Sequence, residues 1–104
     1  MALIPQTSRI IEIHQLEGQD DRDRVFNRRI ELFRTEKGYR AVFHYEGITI
    51  ESSAMRTVSD SLLEIVSRLQ KLGFHRLRTR LNFRGQRYLA ETEPWADYPD
   101  ETAA

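Results

Sequence analysis

The sequence contains no cysteine, only three prolines and only five glycines among its 104 residues. Without cysteine the chain forms no disulfide, no thiolate nucleophile and no cysteine-ligated zinc site. No uninterrupted apolar run approaches the roughly 20 residues that cross a bilayer, and residues 1–5 are too short for the core of a signal peptide. We therefore expect a cytoplasmic protein with no membrane partner.

The chain has no net charge overall, but its charges are unevenly distributed along the sequence. Sixteen basic residues balance sixteen acidic ones, yet residues 56–87 carry a net charge of +6 and residues 88–104 a net charge of −5. All but two of the basic residues are arginine, the side chain that binds carboxylates and phosphates through two parallel hydrogen bonds. Hydrophobic residues make up 39 %, which suffices for the core of one small domain.

Residues 57–72 carry the clearest secondary-structure signal. Apolar residues recur every three or four positions from Val58 to Leu72, which is the spacing of one helical face. Thr57 is a favourable N-cap, and Gly73 suits the position just after the last turn. The sequence therefore predicts one amphipathic helix over residues 57–72.

Five segments around this helix show the alternation of period two that is typical of strands. They are residues 28–36, 39–46, 48–51, 76–83 and 86–91. Gly38 and Gly47 permit tight turns between the first three segments. Residues 8–16 fit either a strand or a helical face, and the polar residues 17–24 are predicted to form a loop or linker.

The predicted element order is β-β-β-α-β-β, which defines an α+β fold. An antiparallel sheet of about five strands packs against the one amphipathic helix and buries its apolar face. We divide the chain into an N-terminal segment with a polar linker and an optional extra strand (1–24), a single α+β domain (25–93) and an acidic aromatic tail (94–104).

Residues typical of enzymes are sparse. His14, His44 and His75 are scattered without the spacing of metal ligands, and neither a Gly-x-Ser-x-Gly elbow nor a glycine-rich phosphate loop occurs. We therefore expect no catalytic residue, no metal and no cofactor. An enzyme site assembled from distant residues would require His44 or His75 beside a carboxylate in a deep pocket.

The basic strand is the strongest functional signal. In a strand, Arg76, Arg78 and Arg80 project from one face about 7 Å apart. The candidate binding face comprises Arg76, Arg78, Arg80, Arg84 and Arg87. Such a row suits the phosphates of nucleic acid or the carboxylates of an acidic protein, and it is equally compatible with a solvated face balanced by neighbouring glutamates. Three tyrosines are candidates for stacking with bases: Tyr39, Tyr45 and Tyr88.

The C-terminal tail combines acids with two aromatic residues. Trp95 and Tyr98 form the candidate partner anchor, because both residue types are favoured at interfaces. The tail is interpreted as a solubilising terminus, as a segment packed on its own domain, or as a segment that covers the arginine face within one chain or from a second subunit.

These features favour a non-enzymatic interaction module. We expect it to bind a protein partner, or a second copy of itself as a homodimer, through a sheet edge, the arginine face or the C-terminal tail. The alternative hypothesis is an RNA- or DNA-binding domain that uses the basic strand at residues 76–87.

Overall fold

The computed structural model of the protein describes residues 9–89 and 92–100. Over these residues it contains seven strands and one helix. They are β1 (Ile10–Gln19), β2 (Val25–Thr35), β3 (Gly38–Tyr45), β4 (Ile48–Glu51), α1 (Val58–Lys71), β5 (His75–Arg84), β6 (Arg87–Tyr88) and β7 (Ala96–Asp97). Parts of three predicted segments lie outside the described residues: Ser8, residues 90–91 and residues 101–104.

All strand pairs are antiparallel, and the order across the sheet is β4-β3-β2-β1-β5-β6, with β7 also pairing with β5. The helix packs mainly on β3. The predicted α+β class, an antiparallel sheet packed against one helix, is confirmed. The sheet includes β1 and β7 in addition to the five predicted strands.

β1 is the strand at the centre of the sheet, between β2 and β5. The segment that fitted either a strand or a helix is therefore a strand. Residues 17–24, predicted as a loop or linker, instead extend β1 as far as Gln19 and then turn into β2. The turn is tight because Asp20 accepts hydrogen bonds from two backbone amides within it.

α1 matches its prediction to within one residue at each end. The Thr57 hydroxyl accepts a hydrogen bond from the Asp60 amide at 3.0 Å, as an N-cap does. The buried residues of the helix include Leu62, Ile65 and Leu69, whose spacing places them on one face. Burying each of these side chains contributes roughly 2 kcal/mol.

No helix in residues 9–89 or 92–100 is long and apolar enough to cross a bilayer.

The sheet has two unlike faces. The face under α1, here the covered face, carries buried side chains such as Ile30, Leu32, Phe43 and Leu77. The opposite face, here the open face, follows from the strand register. Its side chains include Ile13, Gln15, Glu17, Arg29, Glu31, Phe33, Val42, Arg78, Arg80 and Phe83.

A β-bulge changes which face the end of β5 presents. Ile13 pairs with Phe83 and His14 with Leu81, so Asn82 is one extra residue in the ladder. The alternation predicted for residues 76–83 places Leu81 and Phe83 on the same side. Because the bulge reverses the alternation, Phe83 lies on the open face instead.

Candidate interaction surface on the open face

Arg78 and Arg80 lie side by side on the open face at its β5 border. They stand opposite Glu17 and Gln15 of β1. The Arg78 guanidinium forms an ion pair with Glu17, and Arg80 Nη2 donates to Gln15 Oε1 at 3.0 Å. These cross-strand partners hold both guanidinium planes in place, and we call Arg78 and Arg80 the arginine shelf.

The indole of Trp95 lies over the arginine shelf. Its ring centroid is 4.3 Å from Cζ of Arg78 and 4.4 Å from Cζ of Arg80. Both distances fall within the range of cation–π contact, and each such contact contributes about 0.5–1 kcal/mol at an exposed site. The predicted anchor and two of the predicted arginines therefore form one cluster.

The residues that follow Trp95 bind the edge of β5 as a strand. β7 pairs with β5 at Thr79, and the Tyr98 amide donates to the Leu77 carbonyl at 3.0 Å. The Tyr98 ring packs against the core, and its hydroxyl lies 3.0 Å from Thr79 Oγ1. We call residues 92–100 the C-terminal segment.

Two further hydrogen bonds hold the end of the C-terminal segment. The Asp100 carboxylate accepts from the Arg76 backbone amide at 2.6 Å. The Pro99 carbonyl accepts from the Gln70 side chain at 2.8 Å. The C-terminal segment therefore spans from the arginine shelf to the end of α1.

The structure brings together only part of the predicted arginine face. Arg76 lies at a bulge with a φ of 55°, and its described polar contact is made by its backbone. The Asn82 bulge places Arg84 on the covered side, where its Nε donates to Glu12 Oε2 at 3.0 Å. Arg87 is in β6, opposite Arg84.

Glu12 and His14 form a buried cluster with Arg84 that the sequence did not indicate. Both are at least nine-tenths buried, and His14 Nε2 lies 2.8 Å from Glu12 Oε1. Burial alone raises the pKa of Glu12, but the hydrogen bonds and charges of His14 and Arg84 lower the pKa below its ordinary value. A strand assignment for residues 8–16 would have placed Glu12 and His14 on one face.

Asp20 is the second buried acid, and it anchors the turn between β1 and β2. Its carboxylate accepts from the amides of Arg22 and Arg24, both at 2.9 Å, and from the Tyr45 hydroxyl at 2.7 Å. Burial raises the pKa of Asp20, yet these hydrogen bonds outweigh it and hold the pKa well below its usual range. Burial and the Asp20 hydrogen bond raise the pKa of Tyr45.

The two histidines singled out for an assembled enzyme site lie at the surface. His75 Nε2 is 3.0 Å from Asp23 Oδ1, but the Asp23 side chain is 80 % exposed. His44 Nδ1 is 3.0 Å from Thr49 Oγ1. Over the described part of the chain, no three potential metal-ligating side chains gather.

The outer strands limit access to the sheet edges. β4 is only four residues long, and its Glu51 carbonyl accepts from Arg68 Nη1 at 2.9 Å. Beside it, the Ser53 amide donates to Glu64 Oε1 at 3.2 Å. Side chains from α1 thus occupy backbone groups that a partner strand would need. The outer side of β5 is occupied by β6 and β7.

A groove of about 380 Å³ lies on the open face beside the arginine shelf. Gln15, Asn27, Asn82, Phe83 and Tyr88 line it. Among the three candidate stacking tyrosines, Tyr88 is the one in this groove, and it is 74 % exposed. The amide side chains of the groove could not be picked out from the sequence, because glutamine and asparagine are ordinary surface residues.

No family model matches the chain, and neither a curated protein nor a solved structure matches it significantly.

Proposed function

We propose that this domain is a non-enzymatic protein-interaction module that binds an extended acidic segment of a partner along β5 and the arginine shelf. One observation carries the proposal: the C-terminal segment of the chain itself occupies that surface. It pairs with β5 through its backbone and places an indole on two guanidinium groups. A partner of the same chemistry would bind by adding a strand to the sheet.

The C-terminal segment also defines the partner chemistry. It carries three acids, Glu93, Asp97 and Asp100, and it lies along the most basic stretch of the chain. Backbone pairing supplies affinity without sequence preference, whereas the indole on the arginine shelf and the acids supply selectivity. We therefore expect partners with an extended, acidic segment that contains an aromatic residue, including a second copy of this chain.

The C-terminal segment competes with any such partner. A tethered segment acts at an effective concentration in the millimolar range when its linker is short. A partner must therefore bind more tightly than the tethered segment, or bind when that segment has left β5. While the C-terminal segment occupies β5 of its own chain, the apparent affinity for weak partners stays low.

RNA or DNA binding through residues 76–87 stays a prediction with less support at this surface. Glu17 already pairs with Arg78, and the Trp95 ring lies on both guanidinium groups of the arginine shelf. Phosphates would have to displace both contacts, and affinity would fall steeply with salt.

The test adds the C-terminal segment as a free peptide to a full-length variant whose own C-terminal segment is held less tightly on β5. Ala96→Pro in the full chain removes a backbone donor from β7 and loosens the C-terminal segment. A fluorescent peptide that copies residues 92–100 is titrated into wild type and variant while its anisotropy is followed. We expect saturable binding to Ala96→Pro and about tenfold weaker apparent binding to wild type, because the tethered segment competes.

Control variants distinguish binding at the arginine shelf from nonspecific electrostatic attraction of the peptide. A peptide with alanine at the position of Trp95, or Arg78→Gln with Arg80→Gln in the Ala96→Pro chain, should lose most of the binding. Arg87→Gln, which removes an exposed arginine outside the arginine shelf, should leave it unchanged. No saturable binding to Ala96→Pro would refute the proposal and make the C-terminal segment a purely structural strand.

A further inference from the structure

The groove beside the arginine shelf is a second, unoccupied surface with its own chemistry. Ile13 and Gln15 of the central strand line it, with Asn82 and Phe83 at the β5 bulge and Tyr88 of β6. It exists because the bulge turns Phe83 to the open face, where it pairs directly with Tyr88. Its formation does not depend on the C-terminal segment, so it is independent of the proposed peptide site.

An aromatic ring in the groove is available for stacking. Tyr88 is 74 % exposed, and among the described residues it is the one aromatic residue in the set of large exposed hydrophobic side chains. Asn82 Nδ2 donates to the Tyr88 hydroxyl at 3.3 Å, which restrains the ring while leaving its surface in water. Exposed aromatic rings on open sheets stack well with nucleobases, since every base has a π-face.

Three amides give the groove a mixed set of hydrogen-bonding groups. Gln15 Oε1 accepts from Arg80, which leaves the Gln15 amide nitrogen as a donor. Asn27 Nδ2 donates to Glu17, and Asn82 Nδ2 to Tyr88, which leaves two amide oxygens as acceptors. Donors and acceptors side by side match the edges of a base, which carry both.

Positive charge lies at the rim of the same groove. Arg28 and Arg29 line it from β2. Arg29 lies on the open face opposite Gln15, where it pairs with Glu31 at 3.0 Å while its side chain stays 65 % exposed. Arg28 instead points to the covered side, where its guanidinium lies 5.4 Å from the centroid of the Tyr45 ring. An exposed guanidinium such as that of Arg29 suits a phosphate.

We propose that this groove binds a nucleotide, with the base stacked on Tyr88, its edge bonded to the amides and its phosphate beside Arg29. The nucleotide is either free or one unit of a single-stranded nucleic acid, because both present the same base and phosphate. This site differs from the row of arginines predicted from the sequence, since an aromatic ring and amides, rather than charge alone, give it selectivity.

The experiment measures binding to the full-length protein by isothermal titration calorimetry. The probes are adenosine, guanosine, cytidine and uridine monophosphates, ribose 5-phosphate as the baseless control, and short single-stranded RNA. We expect at least one mononucleotide or the RNA to bind while ribose 5-phosphate does not. Tighter binding of RNA identifies a strand as the ligand, and equal affinity per site identifies a free nucleotide.

Variants assign the binding to the groove. Tyr88→Ala should weaken it about tenfold or more, since a stacked base contributes on that scale, while Tyr88→Phe should retain it. Arg87→Gln, the neighbouring change in β6 outside the groove, should have little effect. Binding of ribose 5-phosphate as tight as that of nucleotides, an unchanged affinity in Tyr88→Ala, or no binding by any probe would overturn the proposal.

Discussion

The two faces of this sheet are held in order by different interactions. On the covered face, apolar side chains such as Ile30 and Phe43 are fully buried against α1. On the open face, order comes from pairs of side chains on neighbouring strands, such as Glu17 with Arg78. Close packing of apolar side chains fills the space between the covered face and α1. Paired polar side chains leave the open face with grooves and unused hydrogen-bonding atoms, and both proposed binding surfaces lie there.

The largest expected effect contrasts adjacent residues of β3 that point to opposite faces. Phe43→Ala should lower the free energy of unfolding by about 3–5 kcal/mol, because it leaves a cavity in the core. Val42→Ala, on the open face, should cost about 1 kcal/mol or less. Urea unfolding followed by circular dichroism measures both. Similar losses in the two variants would show that the open face is buried as deeply as the covered one.

A pH-dependent effect is expected at Asp20, at the end of the covered face. Asp20→Asn removes the charge that Tyr45 and the turn amides stabilise, so the urea midpoint at pH 7 should fall. Because the pKa of Asp20 is lower in the folded state than in the unfolded state, its contribution is present above the ordinary aspartate pKa of about 3.9 and is lost as the pH falls below it.

Urea midpoints at a series of pH values check this linkage. The difference between wild type and Asp20→Asn should shrink as the pH falls below about 4. Asp23→Asn, a matched change at the exposed side of the same turn, should alter the midpoint little. A difference that stays constant down to pH 2 would contradict the assigned role of the Asp20 charge.

The smallest expected effect concerns the border of the open face. Trp95 is the only tryptophan, so its emission reports directly on the C-terminal segment. Arg78→Gln with Arg80→Gln should increase quenching of that emission by acrylamide and lower stability by about 1 kcal/mol, the scale of two exposed cation–π contacts. Arg87→Gln serves as the control. Unchanged quenching in the double variant would show that other contacts hold the indole.

The sequence predicted features that depend on local periodicity. The α1 boundaries, the β3 and β4 strands and the α+β class all follow from patterns within a few residues of one another. The central position of β1 does not, because its partner β5 lies about 60 residues further along the chain. Neighbours so distant in sequence leave no local pattern.

The candidate site was predicted only in part for the same reason. Charge and spacing identified Arg78, Arg80 and Trp95 separately, and the structure places them in contact. The expectation of one continuous face that included Arg84 ignored the Asn82 bulge. No sequence pattern marked the groove amides, since they come from three strands.

The Asn82 bulge makes the length of β5, rather than its composition, decide the chemistry of a surface. Because Asn82 is the extra residue, deleting it would leave Phe83 opposite Ile13 and Arg84 opposite Glu12 in a regular ladder, but it would remove the amide that bonds to Tyr88. A related sequence with a single gap here would therefore keep the aromatic residue of this groove and lose one of its hydrogen-bonding side chains. Insertions and deletions inside a strand, usually treated as alignment noise, would be the changes most informative about the evolution of this surface.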